Sequence, residues 1–428
     1  MLRFLHAADL HLGAAFLGVR GESVAVAERL RKATYAALDR IVEIAVEERV
    51  HFVVLGGDLF NAAEANLRAQ FRLQEAVARL HDAGIPTFAV RGNHDPLGGG
   101  EPRLKWPPSF HLFPAEPSAP VEAPGGAVLY GQSYLRRTRS ENLARAYPEP
   151  GRSSFAVALL HTSLAGSVDH DPYAPCALSD LAERGYDYWA LGHIHDHKVV
   201  RPGGPAVVYP GCAQGLNPKE TGPRGCCLVR VEDGSAPAIA FRATDAVRWH
   251  ALDVSIAGLE GEQDLRDALQ ARLAEIERAL PEGGAAVARV RLVGRGPLHR
   301  RLRDEAAVTD VLETVRASGG DDPAVWLSDL RVETRPPMDL EERARVQDFL
   351  GDFLRMASAA AEDPAALEAL REELAPVLGP SAPARKAMAP AAGSRAATDG
   401  PVPTDDELRA WIERARVRGA DLLLGEEG

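Results

Sequence analysis

The sequence predicts a layered α/β protein with a smaller β-α-β-α-β unit behind it and helices toward its C-terminal end. Three observations predict this. Short apolar runs alternate with helical stretches over the first 245 residues, the pattern of strands and helices stacked in layers. Near residue 250 the rhythm changes to strand, helix, strand, helix, strand. Pro336-Pro337, and later an Ala-, Pro-, Gly- and Ser-rich stretch, punctuate the remainder.

In the first part, strands are predicted at 3–8, 52–56, 87–90, 128–131, 156–160, 188–191, 207–209 and 227–231. Helices fit 25–48 and 67–83, the second repeating apolar residues at helical spacing and stopping at Gly84 before Pro86. The smaller unit reads as strands at 252–256, 287–293 and 325–333 around helices at 262–280 and 298–317. Two amphipathic helices follow, at 340–361 and 365–374, with Leu350, Phe353, Leu354 and Met356 along one apolar surface. Thr404-Asp405-Asp406-Glu407 resembles a capping box opening a last helix, which either docks back or binds a partner. The expected organisation is therefore 1–247, 248–336, a helical segment at 337–379, a flexible linker at 380–403 and a C-terminal helix within 404–428.

Composition narrows the functional classes. The chain has 428 residues, too many for one ordinary domain, with 46% hydrophobic and 26% charged residues. No apolar run nears the roughly 18 residues of a membrane helix. Met1-Leu2-Arg3-Phe4-Leu5 enters a strand directly, without a signal peptide, so the cytoplasm is the expected location. Cys176, Cys212, Cys226 and Cys227 lack CxxC spacing and read as reduced, buried thiols. The net charge of −12 sits mostly in the second half: residues 1–250 carry 26 Lys and Arg against 27 Asp and Glu, the rest 23 against 34. A plain nucleic-acid binder would be basic. A near-neutral first half instead needs bound cations to attract anions.

Metal-binding side chains recur in five short segments, each closing an apolar run: Asp9-Leu10-His11, Gly57-Asp58-Leu59-Phe60, Gly92-Asn93-His94-Asp95, His161-Thr162 and Gly192-His193-Ile194-His195. In extended backbone, residues two apart project the same way, so Asp9 with His11, and His193 with His195, can each reach one ion. Asp58 has two oxygens able to bridge two cations, Asn93 adds a neutral carbonyl, and His161 another imidazole. Mixed nitrogen and oxygen donors suit manganese, iron or zinc over calcium. Gly57, Gly92 and Gly192 permit tight backbone beside the ions. His94 remains, with Asp95 next to it to hold its tautomer, as a general acid for a leaving alkoxide. Two cations would activate water and clamp phosphate oxygens, so the chemistry implied is phosphoester hydrolysis.

In order, these residues resemble the pattern DxH…GD…GNHD…H…GHxH of the calcineurin-like metallophosphoesterases. Leu5-His6-Ala7-Ala8-Asp9-Leu10-His11-Leu12-Gly13, Gly57-Asp58-Leu59-Phe60, Tyr209-Pro210-Gly211 and Lys219-Glu220-Thr221-Gly222 are similar to bacterial DNA repair exonucleases of the SbcD and YhaO type. The resemblance implies a four-layer metallophosphoesterase β-sandwich flanked by helices, a small α+β DNA-capping domain and C-terminal helices. It implies Asp9, His11, Asp58 and His195 on a first cation, and Asp58, Asn93, His161 and His193 on a second. The cations would be manganese first, with iron, zinc or magnesium as alternatives, and His94 with Asp95 would be the catalytic pair. DNA as substrate, a homodimer and a coiled-coil SbcC-like ATPase docked on the helices after 338 also follow from it. Asn61 departs from relatives that carry Asp or His there, which bears on the balance of exo- and endonuclease activity.

Other features read more plainly. Arg136-Arg137-Thr138-Arg139 and His299-Arg300-Arg301-Leu302-Arg303 read first as solvated charge, with phosphate contact as the alternative. His197 reads as a surface residue. Two competing functions use the same core: a small-molecule phosphodiesterase or protein phosphatase, and a metal-free scaffold. A phosphatase has little need of the second α/β unit, and the complete ligand set argues against the scaffold.

Overall fold

Strand alternation sets the layers of this protein, seen here in a computed structural model that describes residues 1–19, 21–61, 67–99, 104–116, 119–138, 140–151, 154–164, 174–232, 235–374 and 403–424. The strands are β1 (Leu2–Ala7), β2 (Phe52–Gly56), β3 (Thr87–Val90), β4 (Phe110–Leu112), β5 (Val121–Ala123), β6 (Ala127–Gln132), β7 (Phe155–His161), β8 (Tyr188–Gly192), β9 (Lys198–Arg201), β10 (Ala206–Tyr209), β11 (Gly225–Val231), β12 (Ala238–Ala243), β13 (Val247–Ser255), β14 (Ala285–Arg295) and β15 (Val325–Arg335). They form sheets in the orders β12-β11-β1-β2-β3-β4, β5-β6-β7-β8-β10-β9 and β13-β14-β15.

The first two sheets face each other. Phe4, Phe52, Val54 and Phe88 from one meet Leu129, Val157, Leu159, Tyr188 and Val208 from the other. The alternate residues Leu5, Ala7, Val53 and Leu55 point outward and pack under helices α1 (Val24–Glu47) and α2 (Leu67–Asp82). On the far side, Ala158, Leu160, Trp189 and Leu191 pack against the loop residues Tyr134, Tyr147 and Tyr186 and against Leu181 of the short helix α3 (Leu178–Ala182). Strands buried on both faces read as unbroken apolar runs, which is why the central strands are legible in the sequence. The expected four-layer arrangement is what the chain forms.

Four strands escape the sequence reading: β4, β5, β9 and β12. All four are sheet edges. β4, β5 and β9 have only three or four residues, too few for a period to show, and short edges limit unwanted pairing.

Contacts divide the chain into two compact units. The larger comprises Met1–Val254, Glu262–Leu292 and Asp304–Val332; the other comprises Ser255–Gly261, Val293–Arg303 and Glu333–Gly428. The beginnings of β13, β14 and β15 contribute Val247, Trp249, Ala285, Val287 and Trp326 to one core with Val26, Leu30 and Ala33 of α1. The larger unit also holds α4 (Glu262–Ala279).

Two predicted helices are broken, each by an aspartate that competes for backbone N–H groups. The stretch 298–317 is α5 (His299–Leu302) and α6 (Glu305–Ser318), with Asp304 capping Ala306 N. The stretch 340–361 is α7 (Leu340–Ala344) and α8 (Phe349–Glu362), with Asp348 accepting from Gly351 N and paired with Arg343. After α9 (Pro364–Leu374), residues 380–402 of the expected linker lie outside the described residues. The last helix, α10 (Asp405–Leu424), docks back rather than standing free. Its Ala420 packs on Leu350 and Leu354, while Arg416 bonds Glu341 Oε1 at 3.0 Å and also Ser358. The capping box forms as expected: Glu407 accepts from Thr404 N at 2.7 Å, and Glu407 N donates to Thr404 Oγ1.

The apolar surface of α8 is therefore divided. Leu350 and Leu354 are covered, whereas Met356 is 71% and Phe349 73% exposed. All four cysteines are buried free thiols. Among the described residues, no helix is long and apolar enough to cross a membrane.

The inter-sheet core gives a first prediction. Phe4 is fully buried, stacked on Phe52 at 5.0 Å and edge-on to Tyr188 at 5.1 Å. Phe4→Ala should cost about 3–5 kcal/mol of stability, read as a lower denaturant midpoint with an unchanged transition slope.

Candidate metal centre

Strands β1, β2 and β3 run parallel in one sheet, and β7 and β8 run parallel in the other. Each of the five segments singled out above begins at or just beyond the carboxyl end of one of these strands, the end at which α/β sheets carry their sites. The loops are stitched together by backbone. Asp9 N, His11 N and Leu12 N donate to Gly57 O, Asp58 O and Leu59 O at 3.0, 3.1 and 3.0 Å.

The backbone here is not extended. Asp9 (φ 50°), His11 (φ 42°), Asp58 (φ 48°) and His193 (φ 103°) occupy positive-φ conformations. The expectation that residues two apart converge because a strand alternates is thus corrected: left-handed turns aim these side chains. Each such residue costs about 1–3 kcal/mol, strain that persists where surrounding structure enforces it, characteristically at functional sites.

The site residues are brought together. Ligand atoms of Asp9, His11 and His195 lie within 4.8 Å of one another, as do those of Asp9, Asp58 and His161. Asp58 Oδ2 lies 3.3 Å from His161 Nε2 and 3.9 Å from His11 Nε2. Asn93 Oδ1 lies 3.0 Å from His161 Nε2. His193 gives its N–H to both Asp9 oxygens at 3.0 Å, and its ring centre is 5.3 Å from that of His161. His94 joins through its N–H to Asp58 Oδ1 at 2.9 Å, with its ring 5.1 Å from His11.

Three imidazoles are locked from behind. His11 Nδ1 lies 2.7 Å from Asn61 Oδ1, His161 Nδ1 3.0 Å from Gly56 O, and His195 Nδ1 2.7 Å from Glu220 Oε1. Those oxygens accept, so each Nδ1 donates, and in the neutral ring it is Nε2 that turns its lone pair to the centre. His11 Nε2 and His195 Nε2 then oppose each other at 3.2 Å. Two lone pairs at that distance are resolved only by a proton or a cation between them. This donor set fits divalent metal ions, and such outer locks are the usual support of metal-bound histidine.

Asp95 does not hold His94. Its Oδ1 accepts from Gly92 N at 2.8 Å, and its Oδ2 accepts from Leu59 N at 2.9 Å and from the buried Arg91 at 3.0 Å. It ties the loops after β2 and β3 together, a positioning role that adjacency to His94 in sequence conceals. In the sequence Glu220 is one residue of a loop; folding sets it behind His195. Asn61, which stands where relatives carry Asp or His, is the lock on His11. Burial pushes the Cys212 thiol well above its usual range, which disfavours the thiolate that a nucleophile needs. His197 is exposed, as expected, and Arg139 lies outside the described residues.

Charge in the centre is balanced internally. Burial lowers His11 to about 4, with His195 adding to the effect. Burial also raises Asp9 to about 6, opposed by His161 and His195. Burial would lower His161, but the Asp58 carboxylate outweighs it and lifts the ring to about 9. In turn the neighbouring imidazoles overcome burial and hold Asp58 well below the usual carboxylate range.

Similarity to known proteins shows the family. The calcineurin-like phosphoesterase family matches residues 2–197, and the middle domain of metallophosphoesterase YhaO matches 249–335. YhaO of Bacillus subtilis is 34% identical over 344 residues, covering 79% of this chain and 83% of its own. The chain belongs to the calcineurin-like metallophosphoesterases. This phosphoesterase is also similar to DNA double-strand break repair protein Mre11 of Aeropyrum pernix, 30% identical over 256 residues, covering 56% of this chain and 60% of that one. Mre11 of Haloferax volcanii is 29% identical over 367 residues, covering 74% and 78%. Members of the family bind a dinuclear metal centre, and the metallophosphoesterase described here presents the donor groups for one.

Two predictions follow from the packing and the protons. A Cβ on Gly92 would lie 2.2 Å from Asp58 Oδ1, so Gly92→Ala should strip metal from a protein that still folds, read as metal content against an unchanged circular dichroism spectrum. At pH below about 9 the metal-free His161 ring carries a proton that a cation at Nε2 must displace. Manganese uptake at pH 7–8 should therefore release protons, and affinity should rise with pH until about 9. Titration calorimetry in buffers of different ionisation enthalpy measures this, and uptake without proton release would contradict it.

Proposed function

We propose that this metallophosphoesterase is a two-metal-dependent DNA nuclease, an exonuclease of double-strand-break repair. The observation that carries the reading is the set of inward-facing Nε2 atoms and carboxylates at the strand tips, on a chain similar to proteins named for DNA double-strand break repair. In this reading Asp9, His11, Asp58 and His195 hold one cation, and Asp58, Asn93, His161 and His193 the other. Manganese suits this donor set. When bound, such a pair supplies Lewis acidity toward phosphate oxygens and an activated water.

The chain's own residues do the rest. His94 is only half buried, and its N–H is anchored on Asp58 Oδ1. Its imidazole is the group placed to donate a proton to the leaving oxygen. Burial, together with the Arg137 charge, holds its pKa below the ordinary imidazole value against the pull of Asp58. The exposed Arg137 is close enough to act on His94 electrostatically, which supports the reading that it contacts a phosphate of the DNA backbone. Within the smaller unit, His299 is lowered by burial and by the charges of Arg303, Arg335 and Arg295, a second basic surface suited to phosphates. In this reading residues 248–336 serve as the capping unit over DNA.

The partners belong to the same proposal. The exposed Phe349 and Met356 on α8 would dock a coiled-coil ATPase subunit, and the nuclease would act as a cytoplasmic homodimer.

The test offers purified protein with manganese linear duplex DNA, a cyclic nucleotide and bis-p-nitrophenyl phosphate, with and without chelator. Chelator-sensitive degradation of DNA is expected. Cleavage of the small substrates alone would replace the nuclease reading with a small-molecule phosphodiesterase. His94→Ala should keep both manganese ions and lose about 10²–10⁴-fold in turnover; loss of metal along with activity would remove His94 from the acid role.

A further inference from the structure

We infer that Glu220 is a positioning residue for the metal centre, acting through His195 to set the affinity of one of the two cation sites. The inference rests on the two-cation reading above. Glu220 is 8% exposed, on the loop between β10 and β11. Its carboxylate meets four donors and no acceptor. Oε1 accepts from His195 Nδ1 at 2.7 Å and Asn217 Nδ2 at 2.6 Å. Oε2 accepts from Leu216 N at 2.6 Å and, more weakly, Asn217 N at 3.4 Å.

That pattern demands an ionised carboxylate. A glutamine would offer one oxygen and one NH₂, and the NH₂ would confront either an imidazole N–H or a backbone N–H. The negative charge also polarises His195, making Nε2 a stronger donor to a cation.

The loop holds the backbone of His195 as well. Arg224 Nη1 and Cys212 N both donate to His195 O, at 2.7 and 3.0 Å. Ring and backbone of one candidate ligand are thus fixed by a single loop. Its far end is held independently: Gln214 Oε1 accepts from Ala246 N and Val247 N at 2.8 and 3.1 Å. His161, by contrast, is fixed by Gly56 O of a central strand and does not depend on this loop. A defect at Glu220 should therefore touch one site and spare the other.

The experiment titrates manganese into metal-free wild type, Glu220→Gln and Asn217→Ala, following stoichiometry and affinity by calorimetry and electron paramagnetic resonance. Wild type should take up two ions. Glu220→Gln should hold one ion as wild type does and the other about 10–100-fold more weakly. Its turnover of bis-p-nitrophenyl phosphate should recover at high manganese, so that the manganese requirement shifts more than the saturated kcat. Asn217→Ala keeps the carboxylate and loses one of its anchors, so it should weaken the same site by roughly 2–10-fold. Two ions bound to Glu220→Gln with wild-type affinity would overturn the inference. Should that variant fail to fold, unchanged affinity in Asn217→Ala would overturn it instead. Fewer than two ions in wild type would defeat the two-cation reading itself, a separate result.

Discussion

The opposed Nε2 atoms of His11 and His195, 3.2 Å apart, are the constraint on which the rest of this site depends. Neither ring can turn away, because Asn61 Oδ1 and the Glu220 carboxylate hold their Nδ1 atoms. His161 is in the same position, held by Gly56 O while its Nε2 faces Asn93 Oδ1 and Asp58 Oδ2. A buried assembly of acceptors is unstable by itself. The metal-free chain moderates it with protons, lifting His161 to about 9 and Asp9 to about 6. Divalent ions would resolve it more fully, since each can accept several of these lone pairs.

Holding that arrangement requires a stiff frame. The two facing sheets supply it through Phe4, Phe52 and Tyr188, whose rings lie in contact in the middle of the sandwich. Beyond the strand ends the chain turns sharply, with positive φ at Asp9, His11, Asp58 and His193. Gly57 also has positive φ, and a Cβ there would meet His161 Nδ1 at 2.6 Å. The cost of these turns is offset by the sandwich core and by cross-links such as Asp95, which joins the loops after β2 and β3. Rigid elements aimed from below, with unsatisfied donors converging above, are the general condition for binding metal at low reorganisation cost.

The accessory parts obey different physics. The terminal helix α10 has no apolar core of its own, so it folds onto α8 through Leu350, Leu354 and Ala420. Gly419 allows the close approach, since a Cβ there would lie 2.4 Å from Phe353 Cζ. Arg371 and Asp405 pair between α9 and α10, though such exposed pairs add little to stability. That packing leaves Phe349 and Met356 facing water.

Much of the fold and of the site was legible before folding was considered. Strands buried on both faces advertise themselves as apolar runs, and β2 and β3 match their expected limits. The candidate ligands Asp9, His11, Asp58, Asn93, His161, His193 and His195 were legible because chemistry restricts which side chains bind cations and the motifs keep them in order. Less was legible where meaning depends on a distant neighbour. Edge strands such as β4 and β5, three residues each, are too short to show a period, and Asp304 and Asp348 look like ordinary helix residues until they cap. Asp95 sits beside His94 in the chain yet serves Arg91 and two backbone N–H groups. Glu220 is 25 residues from His195 and touches its ring. The sequence by itself determined which groups can bind metal and which runs become central strands, since both are properties of residue type and short spacing. Only the tertiary structure decided which nitrogen of each imidazole faces inward, because that depends on an acceptor brought from elsewhere in the chain.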